Sequence, residues 1–331
     1  HRTMHVPNTN HDHTDTTVRQ IFPIQLPFDM SSISAPTRPA LKWFRPADGI
    51  RQTPPMPPPV TLVVTDLDGT LWHTDDHVPD GVRNAFHAVR RSGVPLLVAT
   101  GRRLGSTRRP LLAHGLRAPT VVLNGALGVH DGGDDRFHCA PYPADQAAEV
   151  LSAFRSAGLE PVVYVDHPEW EVVLGPDPST HPRHVEALGP AAGRVTPEDA
   201  VAELTVLGFG LIGIEHTDAV AAHRAIGDAA ETHLDRSLDH PGLASLTVAP
   251  LGRSKWDGVL AYCEAEGIDP GGVLALADGP NDLELLDHAA VRLVPHGSHP
   301  AALERADHVI AAATDGGWAQ VLEHLDVSPT G

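Results

Sequence analysis

Five short stretches of the chain hold side chains able to do chemistry. Asp66 and Asp68 lie in DLDGT at 66–70, directly after the apolar run LVVT. Thr100 follows the apolar run VPLLVA, in VATGR at 98–102, and Asn124 opens NGA at 124–126. Lys255 lies in GRSKWDG at 252–258, and Asp278, Asn281 and Asp282 lie in DGPND at 278–282. Two acids at the end of an apolar strand are costly to bury unpaired, so they belong at the strand's exit, where a cation meets them. Each residue type suits phosphoryl transfer. A carboxylate can attack phosphorus and form an acyl phosphate, and Asp66 is the candidate. Asp68, two residues on, points another way and can protonate the leaving oxygen, then activate water. Two anions facing a phosphate dianion need a hard cation with oxygen ligands, which implies Mg²⁺. Asp66 and Asp278 are the expected side-chain ligands, with Asp68 adding its backbone carbonyl. The Thr100 hydroxyl and the Lys255 ammonium bind oxygens of the transferring group. Lys255 stands out further, since Lys42 is the only other lysine among 24 basic residues.

These loops need a frame that brings them together. From Val60 the pattern alternates strand and helix: strand 61–65, helix 80–92, strand 94–99, helix 103–114 and strand 119–123, with two short strands near 127–130 and 136–139. Continuous apolar strands between helices indicate a parallel sheet covered on both faces. The alternation changes at about residue 143. A helix at 144–157 precedes strands near 160–166 and 169–174, then a Pro- and His-rich loop. A strand at 204–214, a helix at 217–232 and a strand at 243–249 follow, which reads as a small α+β module with an antiparallel sheet. The first pattern then resumes: helix 255–266, strand 272–276, helix 282–288, strand 290–294, helix 299–305, strand 307–310 and helix 315–325. One domain (143–246) is thus inserted into another (60–142 and 247–331). In an open parallel sheet, ligands bind at the carboxyl ends of the strands, where the loops carrying these residues converge.

Composition narrows the rest. The formal net charge of −18 disfavours nucleic acid or an anionic membrane as the main partner. Two cysteines outside any CxxC pattern read as free thiols of a reducing compartment. No run approaches the roughly 18 apolar residues of a membrane span, so a cytoplasmic protein, monomer or homodimer, is expected. Residues 1–59 hold 11 of the 31 prolines without sustained periodicity and read as a disordered leader. Within it, HDHTD at 11–15 reads as a polar tract, PPMPPP at 54–59 as a stiff spacer, and Met56 as a start of translation.

Taken together, DLDGT, VATGR, NGA, GRSKWDG and DGPND, in that order, resemble the haloacid dehalogenase superfamily, most closely its Cof-type phosphatases. The resemblance covers roughly residue 60 to the C-terminus. It implies a Rossmann-like core. Because the added module sits between Thr100 and Lys255, it also implies a cap domain of the C2 class, resembling the C2B form. It further implies that Thr100, Gly101, Lys255 and Asn281 hold the substrate phosphate, that Asp282 orients Lys255 and metal-bound water, and that Arg102, Asn124 and Gly125 are candidates for contacting substrate. Two departures stand out: Ala277 where the family usually has glycine, and PHGSHP at 295–300 in place of a Met-Gly-Asn-Ala-like stretch. The leading expectation is a Mg²⁺-dependent hydrolase of a small phosphate ester, such as a sugar phosphate. Alternatives are a phosphomutase resembling the phosphomannomutases and a catalytically silent binding protein. His73, His77, His296 and His299 lie near these loops; in a chain with 22 histidines their clustering reads as coincidence rather than a zinc site. Trp170 and Trp256 read as packing residues.

Overall fold

The computed structural model describes residues 59–73, 77–133, 135–237 and 239–325. The leader, apart from Pro59, lies outside the described residues, and HDHTD, Met56 and Lys42 with it. The first elements are β1 (Leu62–Thr65), α1 (Asp80–Ser92), β2 (Leu96–Ala99), α2 (Leu104–Ala113), β3 (Thr120–Val122), β4 (Leu127–Val129) and β5 (Arg136–Cys139). The middle of the chain forms α3 (Ala144–Ser156), β6 (Val162–Val165), β7 (Val172–Val173), α4 (Pro182–Leu188), β8 (Ala192–Gly193) and α5 (Pro197–Glu203). It continues with β9 (Val206–Ile214), α6 (His216–Ile226), β10 (Glu231–Arg236) and β11 (Ala244–Ala249). The last part adds α7 (Lys255–Glu266), β12 (Val273–Leu276), α8 (Leu283–His288), β13 (Val291–Pro295), α9 (Pro300–Leu303) and β14 (His308–Ile310).

Two sheets result. The larger has the order β14-β13-β12-β1-β2-β3-β4-β5, parallel from β14 to β3, with β4 and β5 antiparallel at one end. Its central pairing joins distant sequence, with Leu62 opposite Val273. β1, β2 and β12 are buried at every position, as strands covered on both faces must be. On one face Val63, Val98 and Leu274 pack with Phe86 of α1 and with Trp318; on the other Leu62, Leu97 and Val273 pack with Val259 of α7 and Leu285 of α8. The fold is therefore α/β with a Rossmann-like core.

The second sheet has the order β10-β11-β9-β6-β7-β8, antiparallel except for β7 with β8. Its Phe209, Leu211, Leu246 and Val248 pack beneath Phe154 of α3 and Ala222 of α6. From its opposite face Val162, Tyr164 and Val172 pack against Val122, Leu123, Leu127 and Val129 of the first sheet's rim. Arg103 pairs with Glu171 across this junction, and Arg136 forks onto Asp166 with contacts of 2.5–2.9 Å.

Several elements differ from the sequence expectation. The helix expected over 217–232 ends at Ile226, and Glu231–Arg236 is instead an edge strand. Gly227, at φ +53°, breaks the helix there. The Pro- and His-rich loop contains α4, with Pro182 at its first position, and α5 follows in the same way from Pro197 after the Thr196 cap. Residues 317–324 form a 3-10 rather than an α-helix. No helix among the described residues is long and apolar enough to cross a membrane.

Candidate active site

β1 ends at Thr65, so Asp66 leaves the sheet at its carboxyl edge. Its position is fixed from below: Trp318 Nε1 donates to Thr65 Oγ1 at 2.9 Å, and Thr65 Oγ1 donates to the Asp66 carbonyl at 2.7 Å. Gly69 then turns the chain at φ +77°, and a Cβ there would lie 2.3 Å from Asp278 Oδ2. Only glycine permits both the conformation and that approach.

Lys255 is the first residue of α7, whose N-terminus is closed by Ser254 N–H donating to Asp257 Oδ2 at 2.8 Å. Gly125, at φ +105°, packs on this turn so tightly that a Cβ would lie 1.9 Å from the Ser254 carbonyl oxygen. The lysine side chain is 1% exposed. Its Nζ donates to Asp66 Oδ1 at 2.8 Å and to Asp282 Oδ1 at 2.7 Å. Asp282, wholly buried, has its second oxygen held by Gly279 N–H at 3.0 Å. Asp278 Oδ1 accepts from the Thr70 hydroxyl at 3.0 Å.

The charges do not balance. Asp66, Asp278 and Asp282 bring carboxylate oxygens within 4.8 Å of one another, beside one lysine. Burial pushes the Asp66 carboxyl well above its ordinary range; Lys255 offsets part of this, and Asp282, Asp278 and Asp68 add to it. Burial and then the Asp282 charge push Asp278 up to about 7. Burial alone would lower Lys255, but Asp282 and Asp66 more than reverse that and hold it protonated. A surplus of buried negative charge with hard oxygen donors is the environment a divalent cation fits. With Asp282 committed to Lys255 and Gly279, the carboxylates left for such an ion are those of Asp66 and Asp278. Among the described residues no other group of three His, Cys, Asp or Glu is arranged for a metal.

Asp68 points away from this group. Arg102 Nε donates to its Oδ2 and Arg102 Nη2 to its Oδ1, each at 2.6 Å, and Trp72 Nε1 donates to Oδ1 at 3.0 Å. The Arg102 guanidinium also lies 5.7 Å above the Trp72 ring. The sequence left Arg102 a candidate for contacting substrate; in the structure its guanidinium lies on Asp68. Trp72, fully buried, was not picked out by sequence reasoning. Its spacing of four from Asp68 was the available signal.

Thr100 is buried after β2, and its hydroxyl accepts from Arg102 N–H at 3.2 Å. Gly101 lies against two amides: a Cβ there would be 3.0 Å from Asn124 Oδ1 and 3.5 Å from Asn281 Nδ2. Asn281 Nδ2 donates to Asn124 Oδ1 at 2.9 Å, and Asn124 Nδ2 donates to Thr247 Oγ1 of β11 at 3.3 Å. Leu123 and Asn124 both have positive φ, 51° and 54°. Two successive non-glycine residues in that region store strain of about 1–3 kcal/mol each.

A family model of haloacid dehalogenase-like hydrolases matches residues 63–181 and 214–322. The chain belongs to that family. This haloacid dehalogenase-like hydrolase is 27% identical over 267 residues to a phosphoglycolate phosphatase of Methanopyrus kandleri, covering 80% of this chain and 97% of that one. It is 23% identical to the pyridoxal phosphate phosphatase YbhA of Escherichia coli, over 80% of this chain and 98% of the relative. Among solved structures it resembles the subclass IIB sugar phosphatase BT4131, with a TM-score of 0.63, 19% identity, and coverage of 80% and 98%. It likewise resembles TM0651 of Thermotoga maritima, with a TM-score of 0.65, 20% identity, and coverage of 81% and 98%. The family and the relatives agree on an enzyme of the phosphatase type.

Proposed function

We propose that the protein is a Mg²⁺-dependent phosphomonoester hydrolase that works through an aspartyl phosphate on Asp66, with the module at 143–246 as its cap. The observation that carries the reading is Lys255 Nζ, 2.8 Å from Asp66 Oδ1 and 2.7 Å from Asp282 Oδ1 in a buried site with surplus negative charge. A phosphate dianion cannot enter such a site unaided. Mg²⁺, held by the Asp66 and Asp278 carboxylates and the Asp68 carbonyl, would neutralise the acids and draw the phosphate's oxygens in.

The chain's own groups then divide the work. Asp66 attacks phosphorus, and the leaving oxygen departs in line. Lys255 stays charged and stabilises the oxygens of the phosphoryl group in flight. The Thr100 hydroxyl accepts from Arg102 N–H, which directs its own proton elsewhere, toward a phosphoryl oxygen. Gly101 leaves room for the phosphate beside Asn281. Asp68 protonates the leaving oxygen and later accepts a proton from the attacking water. Arg102 and Trp72 fix the direction of that carboxylate.

Phosphate release from a panel of phosphorylated metabolites tests the reading. It expects turnover with Mg²⁺, loss with chelator, and an alkali-labile phosphate on Asp66 in rapid-quench samples. Turnover without any label on Asp66 would refute the mechanism.

A further inference from the structure

Strand β10 was absent from the sequence expectation, and it carries a group that no partner among the described residues satisfies. Residues of ETHLDR alternate between two faces. Thr232 meets His223 of α6 at 2.7 Å, and Leu234 packs into the second sheet's core. Glu231, His233 and Asp235 therefore face the opposite way, toward the first sheet. The register agrees: His233 lies opposite Thr247, whose hydroxyl is held by Asn124 of the site, and Thr247 lies opposite Gly210. His233 Nε2 is buried and makes no hydrogen bond among the described residues. A buried polar atom without a partner calls for an explanation. Here the atom sits on the face that closes over Asp66 and Lys255, near enough that the Lys255 and Asp282 charges act on it.

We propose that His233 is a specificity-determining residue, whose Nε2 hydrogen-bonds a hydroxyl of the leaving group, so that the enzyme favours phosphomonoesters of neutral polyols over those of hydroxy acids. The inference rests on the phosphatase reading. Three features support it. Burial, then the Lys255 charge, lower His233 to about 4, so it is a neutral imidazole at working pH, suited to a hydroxyl rather than an anion. The same face offers Thr247, Ser245 opposite Asp235, and Asp235 itself, a set that binds hydroxyls and repels a carboxylate. Three cations of the described residues near the site are already engaged: Lys255 by Asp66 and Asp282, Arg102 by Asp68, Arg103 by Glu171.

The test compares matched substrates across variants in the full chain with Mg²⁺. Glycerol 3-phosphate is paired with n-propyl phosphate, which lacks both hydroxyls, and with 3-phosphoglycerate, which carries a carboxylate. Sorbitol 6-phosphate and n-hexyl phosphate repeat the comparison for a longer leaving group. Wild type is expected to prefer the polyol ester by kcat/KM in at least one length class, and glycerol 3-phosphate over 3-phosphoglycerate. His233→Ala should shrink the polyol-over-alkyl preference about tenfold, and His233→Gln, which keeps a polar tip, should recover part of it. If His233→Ala lowers both members of each pair by the same factor, the residue only packs and the proposal falls. A preference for 3-phosphoglycerate overturns it as well. No phosphate release by wild type from any of these, or from p-nitrophenyl phosphate, overturns the phosphatase reading and the proposal together.

Discussion

Replacing Lys255 with methionine is the sharpest test of the site's electrostatics. The substitution keeps the stem's bulk and removes the ammonium that contacts Asp66 and Asp282, at 2.8 and 2.7 Å. At an effective dielectric of 20 each contact is worth about 6 kcal/mol in gross Coulomb energy. Much of that is offset by the cost of taking the charges out of water. What remains for breaking a buried pair from one side is about 3–5 kcal/mol, because the other charge is left uncompensated. The Asp282 side chain is 0% exposed and Asp66 only 8%, so neither solvent nor salt can take the lysine's place. Urea unfolding of metal-free Lys255→Met at pH 7.5 should therefore show a loss of about 3–5 kcal/mol. The double variant Lys255→Met/Asp282→Leu removes the stranded charge too, and should recover half of the loss or more. A single-variant loss below about 1 kcal/mol, or a double variant no more stable than the single, would refute the reasoning. Lys255→Arg should lose turnover nearly as fully as Lys255→Met, since a planar fork cannot replace a compact ammonium between two carboxylates.

Asp66→Asn should abolish turnover yet raise the melting temperature of metal-free protein, because burial and its acidic neighbours disfavour the charge it removes; a lower melting temperature would count against this. Asp278, pushed up to about 7 by burial and then Asp282, ties metal-free stability to pH. Its folded value lies above its ordinary 3.8, so the folded state holds the extra proton between those limits. The corresponding stability is present at low pH and lost as pH rises toward 7, by up to about 4 kcal/mol. Wild type minus Asp278→Asn, measured from pH 4.5 to 7.5 in EDTA, isolates it, and saturating Mg²⁺ should flatten the difference; a flat metal-free difference removes the claim. Arg102→Leu should lower kcat roughly 10- to 100-fold with little change in KM, and Trp72→Phe should do so more mildly, since both hold the Asp68 carboxylate. A KM rise with kcat intact would return Arg102 to the substrate.

The core strands and the loops that follow them were legible because both signals are local. An apolar run marks a buried strand, and an acid, threonine or lysine at its end has few structural reasons to be there. What the sequence hid shows only in the contact that each group makes. Trp72 reads as one more apolar residue until its Nε1 is seen on Asp68. Arg102 reads as a solvated helix-opening residue or a substrate contact until its fork is seen on the same carboxylate. β10 escaped because ETHLDR is polar and follows a helical pattern without an apolar break. Its alternation of Thr and Leu against Glu, His and Asp is a strand period, but a short one, and only the pairing with β11 gives it a face. The helices at Pro182 and Pro197 were hidden behind residues that usually mark loops, although proline is well tolerated at a first helical position.

The pairing of Leu62 with Val273 also governs how this protein comes into being. β1 is made early, with the two acids at its end, but one of its neighbours is supplied only after the whole inserted module has been synthesised. Until then one edge of this buried strand lies open to other chains. Contacts between residues this far apart make folding slow, although the entropy of closing so long a loop grows only logarithmically with its length. The lysine that compensates Asp66 arrives in that same late segment. A chain that stops short of residue 255 thus carries Asp66 without the cation that makes its charge tolerable. Completing the central sheet and assembling the charge pair are one event, and a nascent or truncated chain has neither.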